Sequence, residues 1–258
     1  MTFFKDVWKI VTEHGDLLLR GVGNTLLIAV IGTLAGLLIG LLIGILRTTP
    51  FSRKKALRVL HKIADAICSV YIEVFRGTPM MVQAMVIYWG YAFASGGSTL
   101  PLIPSGILIV SVNTGAYMAE IVRGGIISID KGQFEGAQAL GMSHLQIMCH
   151  IVLPQVIRNI LPSVSNEFII NIKDTSVLNV IGVTELYFYA GKIKLFNLQI
   201  FQTYFVVCVL YFILTFSISR LLRLAERKLD GKENYTICGS QSDFNAEIHV
   251  QEESPSCR

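Results

Sequence analysis

A run of 25 residues without a charge, Val22–Leu46, constrains the fold of this chain more than any other feature of its sequence. An α-helix rises about 1.5 Å per residue, so this run reaches roughly 37 Å and can cross a bilayer with some tilt. Four further stretches approach or exceed the roughly 20 apolar residues that a crossing needs. Only 16% of the 258 residues are charged, and the mean hydropathy is +0.57. The sequence therefore predicts an all-α polytopic membrane protein with five transmembrane helices and excludes a cytosolic enzyme or a secreted disulfide scaffold.

Basic residues between the first two apolar stretches set the expected topology. Residues 47–62 hold six basic side chains and no acidic one. Because Lys and Arg accumulate in cytoplasmic loops, this loop is expected in the cytoplasm and the N-terminus outside. Five crossings then place the C-terminus in the cytoplasm. Four basic residues directly after the last crossing agree with this orientation: Arg220, Arg223, Arg227 and Lys228.

Charge and hydropathy divide the chain into three segments. Residues 1–21 form an amphipathic segment whose Trp8 suits the outer membrane interface, and residues 22–228 form the transmembrane domain. Residues 229–258 hold six acidic and two basic side chains and are expected to be disordered in the cytoplasm. The positive charge elsewhere lies beside apolar stretches, so it indicates topology and not nucleic-acid binding. The five cysteines lack metal-ligand spacing, and no metal site is expected.

The first two crossings carry signals beyond their hydropathy. Glycines recur every four residues in Val22–Leu46, which suits close helix contact, although glycine is also common in membrane helices generally. These glycines are Gly32, Gly36, Gly40 and Gly44. Met80–Ala94 is too short to cross alone, so the second crossing is predicted as a helix that begins at Ala64 and is broken at Gly77 and Pro79.

The remaining crossings are expected at Ile107–Val122, Val156–Ile172 and Ile200–Leu222. Residues 173–197 are expected to form an outer loop with a short helix that is capped near Ser176.

Polar side chains inside the crossings are candidates for a substrate path. Glu167 lies near the middle of the fourth crossing, where a carboxylate is costly without a role. It either contacts a cationic group of a substrate or makes a hydrogen bond between helices. Asn113 and Tyr117 share one face of the third crossing, and they either line the path or join helices.

Two charged pairs have alternative roles as well. Glu73 and Arg76 lie three residues apart beside the helix break, so a structural ion pair is favoured over contact with substrate. Lys173 and Asp174 follow the fourth crossing, and they form either an outer gate or a solvated surface pair.

The cytoplasmic segment 128–154 carries signals for two short helices that meet at an angle. Gly141 can adopt the left-handed conformation that ends the first helix. The capping pairs are Asp130 with Gln133 for the first helix and Ser143 with Gln146 for the second. The spacing of this segment is similar to the EAA motif of ABC-importer permeases, E-A-A-x3-G-x9-I-x-L-P. The matching residues are Glu135, Ala137, Gly141, Ile151, Leu153 and Pro154, and Gly136 replaces a common alanine.

Three other signatures resemble the polar-amino-acid subfamily of these permeases. They are Glu73-Val-Phe-Arg-Gly-Thr-Pro79, Tyr117-Met-Ala-Glu-Ile-Val-Arg-Gly124 and the stretch Asn166–Ser176. The resemblance covers roughly residues 15–225. It implies a MetI-like permease fold in the bacterial cytoplasmic membrane, and a transmembrane subunit of a binding-protein-dependent importer that carries a polar amino acid.

The resemblance also implies the partners. Residues Glu135, Ala137, Gly141, Leu153 and Pro154 are expected to couple this chain to a dimer of ATPase subunits. Further partners are a second permease copy or a paralogue, and an extracytoplasmic amino-acid-binding protein. The chain has no G-x4-G-K-[ST] phosphate loop, so it is expected to be non-catalytic and without a cofactor, with ATP and Mg²⁺ used by the ATPase.

Two other function classes make different demands on the sequence. A secondary transporter or channel predicts internal repeats and ion-coordinating acids in several crossings, whereas only Glu167 lies well inside one. A membrane-embedded enzyme predicts a nucleophile with its base, or a metal-binding set, within the crossings, and the sequence has no such set. The importer permease is therefore the favoured interpretation.

Overall fold

The structure is a computed structural model, and it describes residues 2–49, 54–230, 235–238 and 247–250. In chain order the α-helices are α1 (Thr2–Glu13), α2 (Gly15–Thr48), α3 (Lys55–Gly77), α4 (Met80–Ala94), α5 (Leu102–Ile127), α6 (Lys131–Ala139), α7 (His144–Ile147), α8 (Leu153–Asp174), α9 (Leu186–Asn197) and α10 (Ile200–Asp230). A π-helical turn, Met148–Val152, precedes α8, and a 3₁₀ helix, Thr175–Ile181, follows it.

Two short strands lie near the C-terminus. β1 (Tyr235–Cys238) and β2 (Glu247–Val250) pair antiparallel, with Tyr235 opposite Val250. The expected disorder of residues 229–258 concerns a segment that lies mostly outside the described residues, so it stays a prediction.

The described helices match the expected all-α membrane architecture. Four helical stretches are long and apolar enough to cross a membrane: α2, α5, residues 145–181, and α10 up to Lys228. α4 is apolar but has only 15 residues, and it follows α3 after a break at Thr78 and Pro79. The predicted interruption of the second crossing is therefore confirmed. Which side of the membrane each end occupies stays a prediction.

The glycine repeat of α2 packs against α5, as its spacing predicts. Gly32, Gly36, Gly40 and Gly44 lie against Val110, Thr114, Met118 and Val122, respectively. A Cβ atom at Gly32 would lie 2.6 Å from the Val110 side chain, and one at Gly44 would lie 2.6 Å from Val122. Both series rise by four residues along the chain, so α2 and α5 run parallel in close contact.

A buried polar network joins α8 to the same pair of helices. The Asn171 side-chain amide donates to the Thr33 hydroxyl at 2.7 Å, and its oxygen accepts from the Thr114 hydroxyl at 3.1 Å. All three side chains are buried. Since the bilayer core supplies no water to satisfy polar groups, such a network fixes the relative positions of the three helices.

The segment between α8 and α10 is packed into the core and is not a loose outer loop. Leu178, Val183 and Leu186 are fully buried. α9 begins at Leu186, and the Glu185 carboxylate accepts hydrogen bonds from the backbone N–H groups of Tyr187 and Phe188 at 2.8 and 2.6 Å. The predicted cap near Ser176 is therefore wrong, because residues 175–181 form the 3₁₀ helix and the cap lies at Glu185.

Candidate functional site

A polar cluster surrounds the break between α3 and α4. The break leaves backbone carbonyl groups of α3 without helical partners, and Pro79 has no N–H to offer. The Gln83 side chain compensates, since its Nε2 atom donates to the carbonyl oxygens of Phe75 and Thr78, each at 2.9 Å. Asn113 of α5 donates to Gln83 Oε1 at 2.8 Å. Asn113 therefore makes the interhelical bond that was one of its two expected roles, and its role in a substrate path stays a prediction.

Arg76 reaches from the end of α3 to α5. Its guanidinium carbon lies 5.5 Å from the centre of the Tyr117 ring, a cation–π arrangement. The predicted ion pair between Glu73 and Arg76 is wrong, because both side chains are exposed and no ion pair within 4 Å joins them, while the Arg76 guanidinium lies over the Tyr117 ring of α5. The structure thus brings together Asn113, Tyr117 and Arg76 at the break.

An ion-pair network lies further along the same helices. Arg47, at the end of α2, contacts Glu120 of α5 at 2.8 Å and Asp65 of α3 at 3.2 Å. Glu120 also accepts from Arg123 at 2.8 Å. In the sequence, Arg47 serves only as a marker of topology. Its position at a helix end did not reveal its partners, which lie 18 and 73 residues away in the chain.

Glu167 is buried in α8 and lacks a partner. Its side chain is 9% exposed, and its carboxylate makes no hydrogen bond or ion pair with any residue that the structure describes. The structural hydrogen bond, the alternative role for this residue, is therefore not formed. Glu167 lies one turn before Asn171 on the same helix face, but it does not bond to Asn113 or Tyr117. A role in substrate contact stays a prediction.

Lys173 and Asp174 lie at the far end of α8 and make no ion pair within 4 Å with each other. Lys173 is exposed and lines a cleft of about 320 Å³ together with Tyr187, Tyr204 and Tyr211. The outer gate proposed for the two charges stays a prediction.

The cytoplasmic segment has most of the predicted local geometry, but Gln133 makes no side-chain hydrogen bond to Asp130, so the predicted capping box of the first helix is not closed. The Asp130 carboxylate caps α6 by accepting from the backbone N–H of Gly132 at 2.6 Å. Gly141 has φ +78°, the left-handed conformation expected of it. Ser143 and Gln146 form the predicted capping box, with the Ser143 N–H donating to Gln146 Oε1 at 2.8 Å and the Gln146 N–H donating to the Ser143 hydroxyl at 3.4 Å.

The surface that this turn presents differs from the expected one at Ala137. Ala137 is 4% exposed and packs in a cluster that includes Ile147 and Val152, so its small side chain lets α6 approach the chain's own helices. This packing leaves Ala137 little surface of its own for a partner, and its coupling to the ATPase stays a prediction. The exposed groups of the turn include Glu135 and two large apolar side chains, Leu140 and Leu145, at 83% and 74% exposure.

The return to the membrane begins with the π-helical turn Met148–Val152. The Leu153 N–H donates to the Met148 carbonyl, five residues back. Pro154 cannot donate to the His150 carbonyl, as the next residue of a regular α-helix would, so the wider turn precedes it. Leu153 is half-buried and Pro154 exposed at the start of α8. These two residues of the motif thus shape the backbone between the turn and the fourth crossing.

The geometry of the broken helix and of the turn agrees with a family of membrane transport proteins. The family model of the binding-protein-dependent transport system inner membrane component matches residues 36–231. The chain belongs to this family. Its expected resemblance to importer permeases is thereby confirmed.

Individual members of this family of inner membrane components are similar over most of the chain. The glutamine transport system permease protein GlnP of Escherichia coli (strain K12) is 37% identical over 222 residues, which are 86% of this chain and 97% of that protein. The L-cystine transport system permease protein TcyB of Bacillus subtilis (strain 168) is 40% identical over 165 residues, which are 64% of this chain and 70% of that protein.

Solved structures of inner membrane components have the same fold. A crystal structure of an amino acid ABC transporter with histidines matches with a TM-score of 0.73 and 35% identity, over 84% of this chain and 96% of that chain. The MetNI methionine ABC transporter, in an inward-facing conformation, matches with a TM-score of 0.66 and 22% identity, over 83% of this chain and 96% of that chain. The second similarity concerns the fold alone, and both support the MetI-like architecture.

Proposed function

We propose that the chain is the permease subunit of an ABC importer that carries a polar amino acid across the bacterial inner membrane. The single observation that carries this proposal is the cytoplasmic turn, in which α6 and α7 meet at Gly141 in the conformation that the EAA-like spacing requires. The named relatives, which transport glutamine and L-cystine, support an amino acid as substrate.

The turn is built to contact a partner on one side and its own chain on the other. Ala137 and Ile147 face inward, into a cluster with Val122 of α5 and Val156 of α8. Glu135 and Leu140 face outward. A force applied to the outer side of this rigid turn would act on α5 and α8 together, since both helices pack on its inner side. ATP and Mg²⁺ would be bound by the ATPase dimer that docks there.

A polar amino acid requires complementary charges along its path, and Arg76 and Glu167 are two charged side chains of opposite sign that make no ion pair within 4 Å in the described part of the chain. Arg76 makes no ion pair with a described residue, and Glu167 has no hydrogen-bond partner among them. A guanidinium fork suits the α-carboxylate of an amino acid, while a carboxylate suits an ammonium or another cationic group. Charges inside a crossing are costly, so both side chains are candidates for substrate contact.

Complete enclosure of such a path needs more than one copy of this chain, because five crossings cannot surround a polar route through the bilayer. A second copy or a paralogue would complete it, and an extracytoplasmic binding protein would deliver the substrate. The role of Asn113 would then be to fix the helix break beside Arg76, through its bond to Gln83.

Reconstitution tests the proposal directly. The chain is expressed together with a candidate ATPase, and the purified complex is placed in proteoliposomes with ATP inside and a candidate binding protein outside. We expect an ATPase to co-purify with the chain and uptake of one or a few members of a panel of amino acids to depend on ATP. A chain that purifies without an ATPase and transports amino acids down an ion gradient would instead be a secondary transporter.

A further inference from the structure

α1 carries two apolar stripes, and its own chain covers only one of them. Phe3, Val7 and Ile10 form the covered stripe, with the spacing of one helix face. Ile10 is 2% exposed in the core, and the Phe3 ring lies 5.6 Å from Phe201 and 5.3 Å from Phe205 of α10. This stripe fixes α1 against the beginning of α10, and Ile10 belongs to the same buried cluster as residues of α9.

The second stripe is uncovered. Phe4 and Trp8 lie one turn apart on α1 and are 76% and 71% exposed, and Val11 continues the stripe at 41%. Single exposed apolar side chains are ordinary on protein surfaces, whereas a contiguous aromatic stripe marks a contact surface. The packing of the first stripe means that α1 cannot rotate to bury the second one.

The uncovered stripe adjoins a surface that faces lipid by its position in a membrane crossing. Phe205, Phe212 and Phe216 are exposed along α10, which is long and apolar enough to cross the bilayer. Phe3 contacts both Phe4 and the beginning of this surface, with ring centroids 5.4 Å apart for Phe3 and Phe4. The stripe of α1 therefore continues the lipid-facing surface at the point where α10 leaves the membrane.

The remaining face of α1 is polar. Lys5 and Lys9 are exposed, and Lys9 forms an ion pair with Glu13 at 3.8 Å. A helix with an aromatic stripe beside lysines suits the boundary between lipid headgroups and acyl chains. We propose that the phospholipid interface is the partner of this stripe, and that α1 anchors the beginning of α10 to it by inserting Phe4, Trp8 and Val11 among the lipids.

Tryptophan fluorescence tests the proposal, because the chain has only two tryptophans, Trp8 and Trp89. Trp89→Phe leaves Trp8 as a single reporter in the complete chain. The purified variant is reconstituted in vesicles that contain a lipid with a nitroxide near the headgroup or a lipid with a nitroxide deep in the acyl chain, and aqueous iodide probes access from water. The depth reference is the variant Trp8→Phe/Trp89→Phe/Phe212→Trp, whose reporter lies about 18 Å along α10 from its first residue.

We expect the shallow nitroxide to quench Trp8 at least twofold more strongly than the deep one, iodide to quench it weakly, and the depth reference to show the reverse order of nitroxides. Phe4→Asp in the single-reporter background should reduce the shallow quenching, whereas Thr12→Asp, on the polar face, should not. Strong iodide quenching without lipid quenching would overturn the proposal. Protection from iodide without quenching by either lipid would also overturn it, because a protein surface would then cover the stripe.

Discussion

Glu167 and Arg76 are charges of opposite sign, and neither makes an ion pair within 4 Å to a described residue. The Glu120 carboxylate, which pairs with Arg47 and Arg123, also interacts electrostatically with Arg76. Sequence position alone identified Glu167 as unusual, because a carboxylate in the middle of a crossing is rare. Arg76 was expected to be neutralised by Glu73, and only the direction of its side chain towards Tyr117 shows that it is not. The two residues therefore have the same test, which is whether transport depends on their charge.

We predict that Glu167→Gln lowers amino-acid uptake about tenfold or more while the complex still assembles. A hydrogen bond to a charged group contributes roughly 1.5–3 kcal/mol, and about 1.4 kcal/mol corresponds to a factor of ten. Uptake and substrate-stimulated ATP hydrolysis are measured in proteoliposomes, with Glu226→Gln near the end of α10 as the control. If both rates stay at the wild-type level in Glu167→Gln, this side chain does not contact the substrate.

For Arg76 we predict an effect on substrate affinity. Arg76→Gln should raise the substrate concentration for half-maximal uptake about tenfold, and Arg76→Lys should raise it less, because lysine keeps the charge but lacks the planar fork. Uptake is measured over a range of substrate concentrations, and Arg223→Gln serves as the control for loss of one positive charge. If uptake depends on substrate concentration in the same way for Arg76→Gln and the wild type, Arg76 does not contact the substrate and serves helix packing through Tyr117.

At the scale of helices, the contact between α2 and α5 rests on the absence of side chains. A Cβ atom at Gly40 would meet backbone atoms of Met118 and Ala119 at 2.7 and 2.8 Å, and backbone cannot move aside as a side-chain end can. We predict that Gly40→Ala destabilises the purified chain by about 1–3 kcal/mol, as other overpacked cores do. Thermal unfolding in detergent measures this change.

Gly23→Ala is the matched control for this prediction, since Gly23 lies in the same helix with nothing within 4 Å of the position of a Cβ atom. Alanine there should leave stability unchanged or raise it slightly, because glycine costs roughly 0.5–1 kcal/mol in a helix. Equal losses of stability in Gly40→Ala and Gly23→Ala would mean that the glycine repeat does not determine the packing of α2.

The cytoplasmic turn provides a second matched pair. Gly141→Val forces a branched side chain into a left-handed backbone, which costs on the order of 1–2 kcal/mol. We predict that this variant inserts into the membrane but binds less ATPase or uncouples ATP hydrolysis from uptake. Gly136→Ala, inside α6 with open space around it, should retain all three properties. Subunit stoichiometry, ATP hydrolysis and uptake are measured on the same preparation. Normal values of all three for Gly141→Val would mean that the turn only connects two helices and does not couple the chain to the ATPase.

Local signals predicted these elements best. The Ser143–Gln146 capping box and the left-handed Gly141 depend on neighbours within a few residues, so the sequence was sufficient. The Glu185 cap was missed because glutamate is an unusual cap, and here it is fixed by the Tyr211 hydroxyl, 26 residues away. The burial of Ala137 likewise depends on how α6 folds back onto distant helices, which no local pattern contains.

The same limit applies to the glycine repeat. Its spacing predicts the contact face of α2. The residues of α5 that it contacts, also four apart, depend on how the two helices lie side by side. For the path, the sequence supplied Asn113 and Tyr117, whereas Gln83, which holds the broken ends together, was not recognised. Its partners are backbone carbonyls freed by the break, and they carry no signature in the sequence.

For the whole molecule, the parallel packing of α2 and α5 links the topology of distant segments. If residues 47–62 are cytoplasmic, α2 runs inward. α5 must then also run inward, because the residue numbers of the contacting pairs increase together along the two helices. The turn between α5 and α8 then lies in the cytoplasm, where an ATPase can reach it. One wrong assignment at the basic loop would therefore place the turn, and the proposed coupling, on the opposite side.

We predict that a fluorescent protein fused after Lys228 reports a cytoplasmic location and that alkaline phosphatase inserted at Ser98 is active outside. Ser98 lies in the exposed segment between α4 and α5, so an insertion there should not disturb the core. As a control, the phosphatase inserted after Gly136, in the turn, should be inactive. Activity at Gly136 together with inactivity at Ser98 would mean that the whole bundle has the opposite orientation in the membrane, since α2 and α5 are parallel and cannot be reversed separately. The six basic residues of the 47–62 loop would then not determine the orientation, and their role would be limited to local contacts such as that of Arg47 with Glu120.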